Sequence, residues 1–441
     1  MTFDVITLQS RLNMATLIKE VRLIMAENGI DAKTGKPRNN YKFWVGKLYD
    51  DDMVHANWGR VGETGDSGEW AGGQSYLDKK IKEKFRKGYT EQKTMGESIV
   101  TSTPSAPVNS GDLHSIAKSQ LIKSSNPTLE RLITRFVNAN VHKITSSTQI
   151  TYNSNTGLFT TPLGIVTMDG LVEARDLLAD LAPLVRKQKF GTEADAILCK
   201  YLRIIPQSLG MKRFSTETVV PDDNALQKQM DLIDSLESSY QATQTAATPV
   251  KTVTTQEQVF KVDLDVLTDQ AERARLDRYF ETSKKRMHGY DNVKVREIFK
   301  VTIHDMANGF ERKTTPIKEV FHGSSSANSL SILKSGLRVS PPSTAAIAGK
   351  LYGNGVYGST CSSKSMGYTF GRWSQGCGDM GYLWICDFAL GSVFYPKTYS
   401  ATKPSGYDSI WAKPENTGLN NDELIVYKNS QVNIKYLVEI K

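Results

Sequence analysis

Residues 321–342 read FHGSSSANSLSILKSGLRVSPP. His322 and Gly323 stand where an apolar stretch gives way to three serines. Leu330, Ile332 and Leu333 then lead to Gly336 and the pair Pro341-Pro342. The spacing predicts a strand that hands over to a short helix, with Ser324 or Ser325 as its cap and Gly336 as its end. A second reading is that His322 and Gly323 line a pocket. Both stay open on these residues alone.

The flanking sequence sets the fold class. VREIFKVTI (295–303), YLWICDFAL (382–390), ELIVYK (423–428) and VNIKYLVEI (432–440) have the β-branched and aromatic content of strands. Leu264 to Thr282 reads as helical, and glycine is frequent between 349 and 382. Many strands with few helices predict an α+β unit over residues 246–441.

Residues 112–245 have a different pattern. Leu129, Leu132, Ile133 and Phe136 fall at helical spacing, as do Leu171, Ala174, Leu177, Leu178 and Leu181. Ala194, Ile197, Leu198 and Leu202 form another set, and Leu226, Met230, Ile233 and Leu236 a fourth. An all-α unit without chemistry of its own is expected. QATQTAATPVKTVTT (241–255) reads as a linker out of it.

Residues 1–100 form the remaining unit, and GESIVTSTPSAPVNSGD (96–112) supplies linker composition around 101–111. Leu17, Ile18, Val21 and Ile24 predict a short N-terminal helix closed near Gly29. Tyr41, Phe43 and Val45, then Val54, Ala56 and Trp58, predict an antiparallel pair around the turn Asp50–Asp52. Tyr76–Phe85 predicts an amphipathic helix whose outer face carries Lys79, Lys80, Lys82 and Lys84.

Composition narrows the function classes. The chain has 441 residues and a formal net charge of +8, a mild bias toward polyanionic partners. Four cysteines and six histidines are scattered without a CxxC pair, so no structural metal is expected. No run reaches 18 apolar residues, and the start lacks a secretory signal pattern, so an intracellular protein off the membrane is expected. A strand–GxGxxG–helix unit is missing, which argues against a Rossmann dehydrogenase.

Several motifs then converge. NWGRVGETG (57–65), with KGY at 87–89, resembles the signature of the WGR domain. TPLGIVT (161–167) and IIPQSLG (204–210) resemble elements of the helical regulatory domain of the poly(ADP-ribose) polymerases. FHGSS, GLRVSPP, YGNGVY, SKSMGY, ELIVY and VNIKYL resemble the catalytic domain of the DNA-dependent members of that family. His322, Tyr357 and Glu423 resemble the His-Tyr-Glu triad of diphtheria-toxin-like ADP-ribosyltransferases.

The resemblance implies a small WGR-like sheet and helix, an all-α regulatory domain and a mixed α/β transferase domain of the diphtheria-toxin-like type. It implies NAD+ as co-substrate without a metal, broken or nicked DNA as activator, and proteins, itself included, as acceptors. Work in the DNA damage response follows, in the nucleus of a eukaryote or otherwise in the cytoplasm or nucleoid. Glu423, His322 and Tyr357 would be catalytic. Gly323 would hold the nicotinamide carboxamide through its backbone, with a bond from Ser365, while Tyr357 and Tyr368 flank the ring. His322, Ser324, Asn328 and Arg338 would lie along the ribose and adenosine half. Trp58, Arg60, Lys79 and Lys80 would serve DNA or the neighbouring domain.

This chain departs from the family pattern at Ser325, at Gly358-Ser359 and at Lys350-Leu351, and its stretch between Gly391 and Glu423 is short. Poly(ADP-ribose) synthesis is expected. Transfer of single units only, or a catalytically weak DNA-end adaptor, are the alternatives.

Overall fold

The computed structural model describes residues 15–30, 37–91, 113–153, 158–161, 164–209, 214–247, 258–339, 351–370, 380–399 and 402–441. The linker reading at 101–111 lies wholly outside these residues and the one at 241–255 partly; Lys350, Cys377 and the Pro341-Pro342 pair also lie outside them.

The expected N-terminal helix is a strand. β1 (Leu17–Ile30) pairs antiparallel with β2 (Pro37–Tyr49), followed by β3 (Met53–Arg60) and β4 (Asp66–Ala71). Helix α1 (Gly73–Arg86) covers the sheet, and β5 (Thr90–Glu91) closes it in the order β4-β3-β2-β1-β5. The helical misreading has a physical cause: β1 is buried on both faces. Val21, Leu23 and Met25 pack with Trp44 and Leu77 under α1. Ile24 and Ala26 join Tyr41 and Phe43 in a second core. A strand with two apolar faces loses the period-2 alternation that would identify it.

That second core is shared with the helices that follow. α2 (Leu113–Leu121) and α3 (Pro127–Ser147) come first, then α4 (Met168–Arg186), α5 (Thr192–Ile204), α6 (Thr216–Val219) and α7 (Asp223–Ala247). Leu171, Leu178, Leu198, Leu202 and Ile233 pack against Ile24, Tyr41 and Phe43. Polar contacts reinforce the seam: Tyr41 OH donates to Leu202 O at 3.0 Å, and Arg203 Nη2 to Ala26 O at 3.0 Å. The region is not purely helical. β6 (Thr151–Asn153), β7 (Leu158–Thr161) and β8 (Gly164–Ile165) form a three-stranded sheet, too short for sequence periodicity to register. α7 continues to Ala247 where linker composition begins.

The C-terminal part has two sheets. The larger runs β11-β13-β17-β10-β9 and the smaller β12-β16-β15-β14. The expected helix from Leu264 instead opens with β9 (Val262–Val266), whose Val and Leu alternate with aspartates. Asp269 then caps α8 (Gln270–Thr282), accepting from Ala271 N at 2.9 Å. Next come β10 (Val295–Ile303), α9 (His304–Gly309), β11 (Ile317–Gly323) and α10 (Ser329–Ser335). β12 (Val356–Gly358), α11 (Ser362–Thr369), β13 (Gly381–Ala389), β14 (Val393–Phe394) and β15 (Ser409–Ala412) follow. α12 (Pro414–Thr417), β16 (Glu423–Val426) and β17 (Val432–Ile440) finish the chain.

In residues 321–342 the cap reading holds in part, since the serine caps a turn and Asn328 precedes α10. Ser325 caps a single 3₁₀ turn over Ser326–Asn328, accepting from Ala327 N at 3.4 Å, and α10 ends at Gly336 with φ 70°. The core of the larger sheet also includes helical residues. Leu113, Ile116, Leu121, Leu129, Leu132, Ile133, Phe136 and Val137 pack with Phe260, Phe299, Tyr382 and Trp384. Among the described residues, no helix is long and apolar enough to cross a membrane.

Candidate active site

The two C-terminal sheets touch at one bridge. Phe321 N–H donates to Ser359 O at 2.8 Å, and Ser359 N–H donates to Phe321 O at 3.0 Å. The end of β11, His322 and Gly323, is thereby set beside β12 and its Tyr357. His322 Nδ1 lies 2.8 Å from Tyr357 O. A carbonyl only accepts, so Nδ1 carries the hydrogen in this contact. The Tyr357 hydroxyl donates to Gly353 O at 2.8 Å and accepts from Tyr352 N at 3.0 Å.

Glu423 enters from β16, which pairs with β12 so that Gly358 faces Leu424. It is 7% exposed. Lys364 Nζ, from α11, donates to its Oε1 at 2.5 Å. Its Oε2 is buried without a hydrogen-bond partner among the described residues. Lys364 is the counter-ion of this buried carboxylate. The charge is felt nearby. Partial enclosure, with the Glu423 carboxylate second, pushes the Tyr368 phenol up to about 12. The Tyr352 phenol is pushed up to about 12 by the same two causes. Both therefore stay neutral donors at physiological pH.

Gly323 has a reason that the sequence did not show. A Cβ there would lie 1.9 Å from Ser365 O and 3.1 Å from Tyr368 Cβ. The backbone of β11 and α11 is in direct contact, which brings Gly323, Ser365 and Tyr368 together. The Ser365 hydroxyl, 4% exposed, donates to Phe321 O at 3.2 Å and ties the same two elements. Gly323→Ala is therefore expected to lower unfolding free energy by about 3 kcal/mol, read from the urea midpoint. A midpoint equal to wild type would contradict the close approach. Substitution here tests packing before it tests any ligand.

The Ser324–Asn328 turn is covered by helices. Asn328 Nδ2 donates to Ser324 Oγ at 3.3 Å and to Asp231 Oδ2, from α7, at 3.3 Å. Lys143 Nζ, from α3, donates to Asn328 Oδ1 at 2.9 Å and pairs with Asp231 at 3.5 Å. Asn140, fully buried, donates to Ala327 O at 3.3 Å. Arg338 is exposed past the end of α10 and donates to Ser335 O at 3.4 Å.

In the N-terminal sheet, Trp58 packs on Trp70 with ring centroids 5.7 Å apart, and Trp70 stacks on Tyr76 at 5.7 Å. Lys80 Nζ sits 5.7 Å over the Tyr76 ring and bonds Glu83 at 3.2 Å. Lys79 is exposed, and Arg60 ends β3 opposite Lys42. Sequence reasoning missed Lys364, Lys143 and Asp231. Asking what neutralises a buried Glu423 would have pointed to Lys364, one residue before Ser365. Nothing local marks Lys143 or Asp231. Among the described residues no group of three His, Cys, Asp or Glu side chains is placed to hold a metal ion.

Residues 270–418 match the family model of the poly(ADP-ribose) polymerase catalytic domain, a span that ends before Glu423. Over 386 residues the chain is 23% identical to poly(ADP-ribose) polymerase 2 of Arabidopsis thaliana, covering 80% of this chain and 59% of that protein. It is 22% identical over 470 residues to poly(ADP-ribose) polymerase 2 of Homo sapiens, covering 91% and 77%. Against protein mono-ADP-ribosyltransferase PARP4 of Mus musculus identity is 34% over 160 residues, 33% of this chain and 8% of that one. The chain thus spans about three-fifths of the Arabidopsis protein and a small part of the mouse one. The family match thus lies on the strands and helix that carry His322, Tyr357 and Lys364, and the chain is similar to poly(ADP-ribose) polymerases over most of its length.

Proposed function

We propose that the chain is an NAD+ ADP-ribosyltransferase, raised in activity by broken or nicked DNA, that modifies proteins including itself and builds poly(ADP-ribose) in the DNA damage response. The observation that carries this reading is the carboxylate of Glu423, held by Lys364 through one oxygen while the other is buried without a partner. In this reading it acts together with His322, Tyr357, Gly323 and Tyr368. The Gly323 backbone takes the carboxamide, Tyr357 and Tyr368 flank the nicotinamide, and His322 bonds a ribose hydroxyl. Ser324, Asn328 and Arg338 serve the adenosine half.

The reaction breaks the bond between nicotinamide and ribose C1′. Nicotinamide leaves neutral with the electron pair, and positive charge develops on the ribose. The fixed Glu423 carboxylate stabilises that charge. An acceptor hydroxyl then forms the new C–O bond and gives up its proton. In the same reading DNA meets Trp58, Arg60, Lys79 and Lys80, chiefly through its phosphates, so binding weakens as salt rises.

The contacts of Lys143, Asp231 and Asn140 with the Ser324–Asn328 turn support a restraint by the helices on the NAD+ site. Lys143→Ala with Asp231→Ala is expected to raise DNA-independent NAD+ turnover about 5-fold, the effect of a coupling energy near 1 kcal/mol. Labelled NAD+ is supplied to wild type and the double variant, with and without nicked duplex. No label on protein from any sample would defeat the transferase reading. Equal labelling with and without DNA in both proteins would defeat only the regulation, and product size on a gel separates polymer from single units.

A further inference from the structure

Asp422 stands one residue before Glu423 and takes part in none of the steps above. Its carboxylate is used on both edges. Oδ1 accepts from Ser359 Oγ at 2.8 Å and from Thr360 N–H at 3.1 Å. Oδ2 accepts from Thr360 Oγ1 at 2.8 Å and from Trp411 Nε1 at 3.2 Å. Its main-chain oxygen accepts from Lys364 Nζ at 3.2 Å and lies 3.0 Å from Ser359 Oγ, an alternative acceptor for that hydroxyl. Ser359 and Thr360 form the turn from β12 to α11, and Trp411 lies on β15. The residue therefore ties together the segments that carry Tyr357, Lys364 and Glu423.

The donor pattern explains why a carboxylate stands here. Hydroxyls of Ser359 and Thr360 can rotate and act as donor or acceptor. The Thr360 N–H and the Trp411 indole N–H cannot. One points at each edge of Asp422, so both edges must be acceptors. An asparagine would turn its NH2 toward one fixed N–H in either orientation, leaving two donors face to face. We propose that Asp422 is the positioning residue that sets the Glu423 carboxylate against Lys364 and Tyr357. Its effect on turnover rests on the transferase reading, whereas its effect on the local structure does not.

The test uses the full chain as wild type, Asp422→Asn, Trp411→Phe, the double variant and Thr360→Val. Two quantities are read: steady-state NAD+ turnover, and hydrogen exchange of peptides covering 359–368 and 420–426. A displacement of Glu423 near 1 Å is expected to lower kcat about 10-fold in Asp422→Asn, with KM for NAD+ within roughly twofold. Exchange should rise in those two peptides and not elsewhere. The double variant removes the indole N–H that opposes the new amide, so its kcat should return to within about 3-fold of Trp411→Phe. Simple packing loss would instead make the double variant worse than either single one, and that result overturns the proposal. Unchanged exchange and turnover in Asp422→Asn overturns it too. If Asp422→Asn does not fold, Thr360→Val, which removes one donor, should still raise exchange in both peptides, and no rise there counts against the assignment. The expected exchange pattern in a wild type that does not consume NAD+ would uphold the positioning role and remove the transferase reading instead.

Discussion

Replacing Glu423 by glutamine is expected to lower ADP-ribosyl transfer by about 100-fold or more while KM for NAD+ moves less than about threefold. The amide keeps the shape of the side chain and loses its charge. Charge matters most when the ribose becomes cationic, so the loss falls on the chemical step rather than on ground-state binding. The structure adds a condition. Lys364 Nζ lies 2.5 Å from Oε1, with side chains 16% and 10% exposed, so the glutamine variant leaves a largely enclosed ammonium without its counter-ion. Some destabilisation accompanies the substitution, and a melting curve separates it from the catalytic loss. Labelled-NAD+ transfer at the wild-type rate in a folded Glu423→Gln protein would remove Glu423 from the catalytic role.

A fragment that starts at residue 258 is expected not to fold, whereas residues 113–148 joined to 258–441 are expected to melt cooperatively. Leu129, Leu132, Ile133, Phe136 and Val137 are each at most 2% exposed, in one core with the larger C-terminal sheet. The Phe136 ring meets the Tyr382 ring edge-on at 4.8 Å. At roughly 2 kcal/mol for each buried side chain, these contacts are worth about 10 kcal/mol, as much as a typical domain's whole stability. α3 also supplies charge: Arg131 Nη2 reaches Glu439 Oε1 at 3.2 Å, and Glu439 is 2% exposed. Arg131 is half exposed and Tyr382 also bonds Glu439, so losing that partner costs about 1 kcal/mol more. Solubility and thermal melting of the two fragments decide the matter, and equal melting of both would show that the helices add nothing to this core. Removing all of 112–245 is accordingly a poor probe of restraint, because it takes away core as well as cover.

What could be read in the sequence follows from where burial is one-sided. β2 and β3 alternate and were legible, as were β10, β13, β16 and β17 with their β-branched and aromatic content. β1 was not, because Leu23 and Ile24 are both fully buried and face different cores. β9 was absorbed into the helix after it, although Val262, Leu264 and Val266 alternate with Asp263 and Asp265. At the site, residue types and order pointed to His322, Tyr357 and Glu423. The partner that neutralises Glu423 and the backbone that presses on Gly323 depend on distances between elements far apart in the chain, which no local pattern encodes.

The two-faced hairpin of β1 and β2 has a further consequence. Leu23 and Trp44 belong to the core under α1, while Ile24 and Tyr41 belong to the core of α4, α5 and α7. The first module is thus attached to the rest through its own sheet, as a plate clamped along one face. The joint is made by packed side chains of the two parts. Residues 1–91 and 113–441, made as two polypeptides, have the surfaces to find each other. Torque from the sheet would pass into α5 directly, through Tyr41 and Leu202.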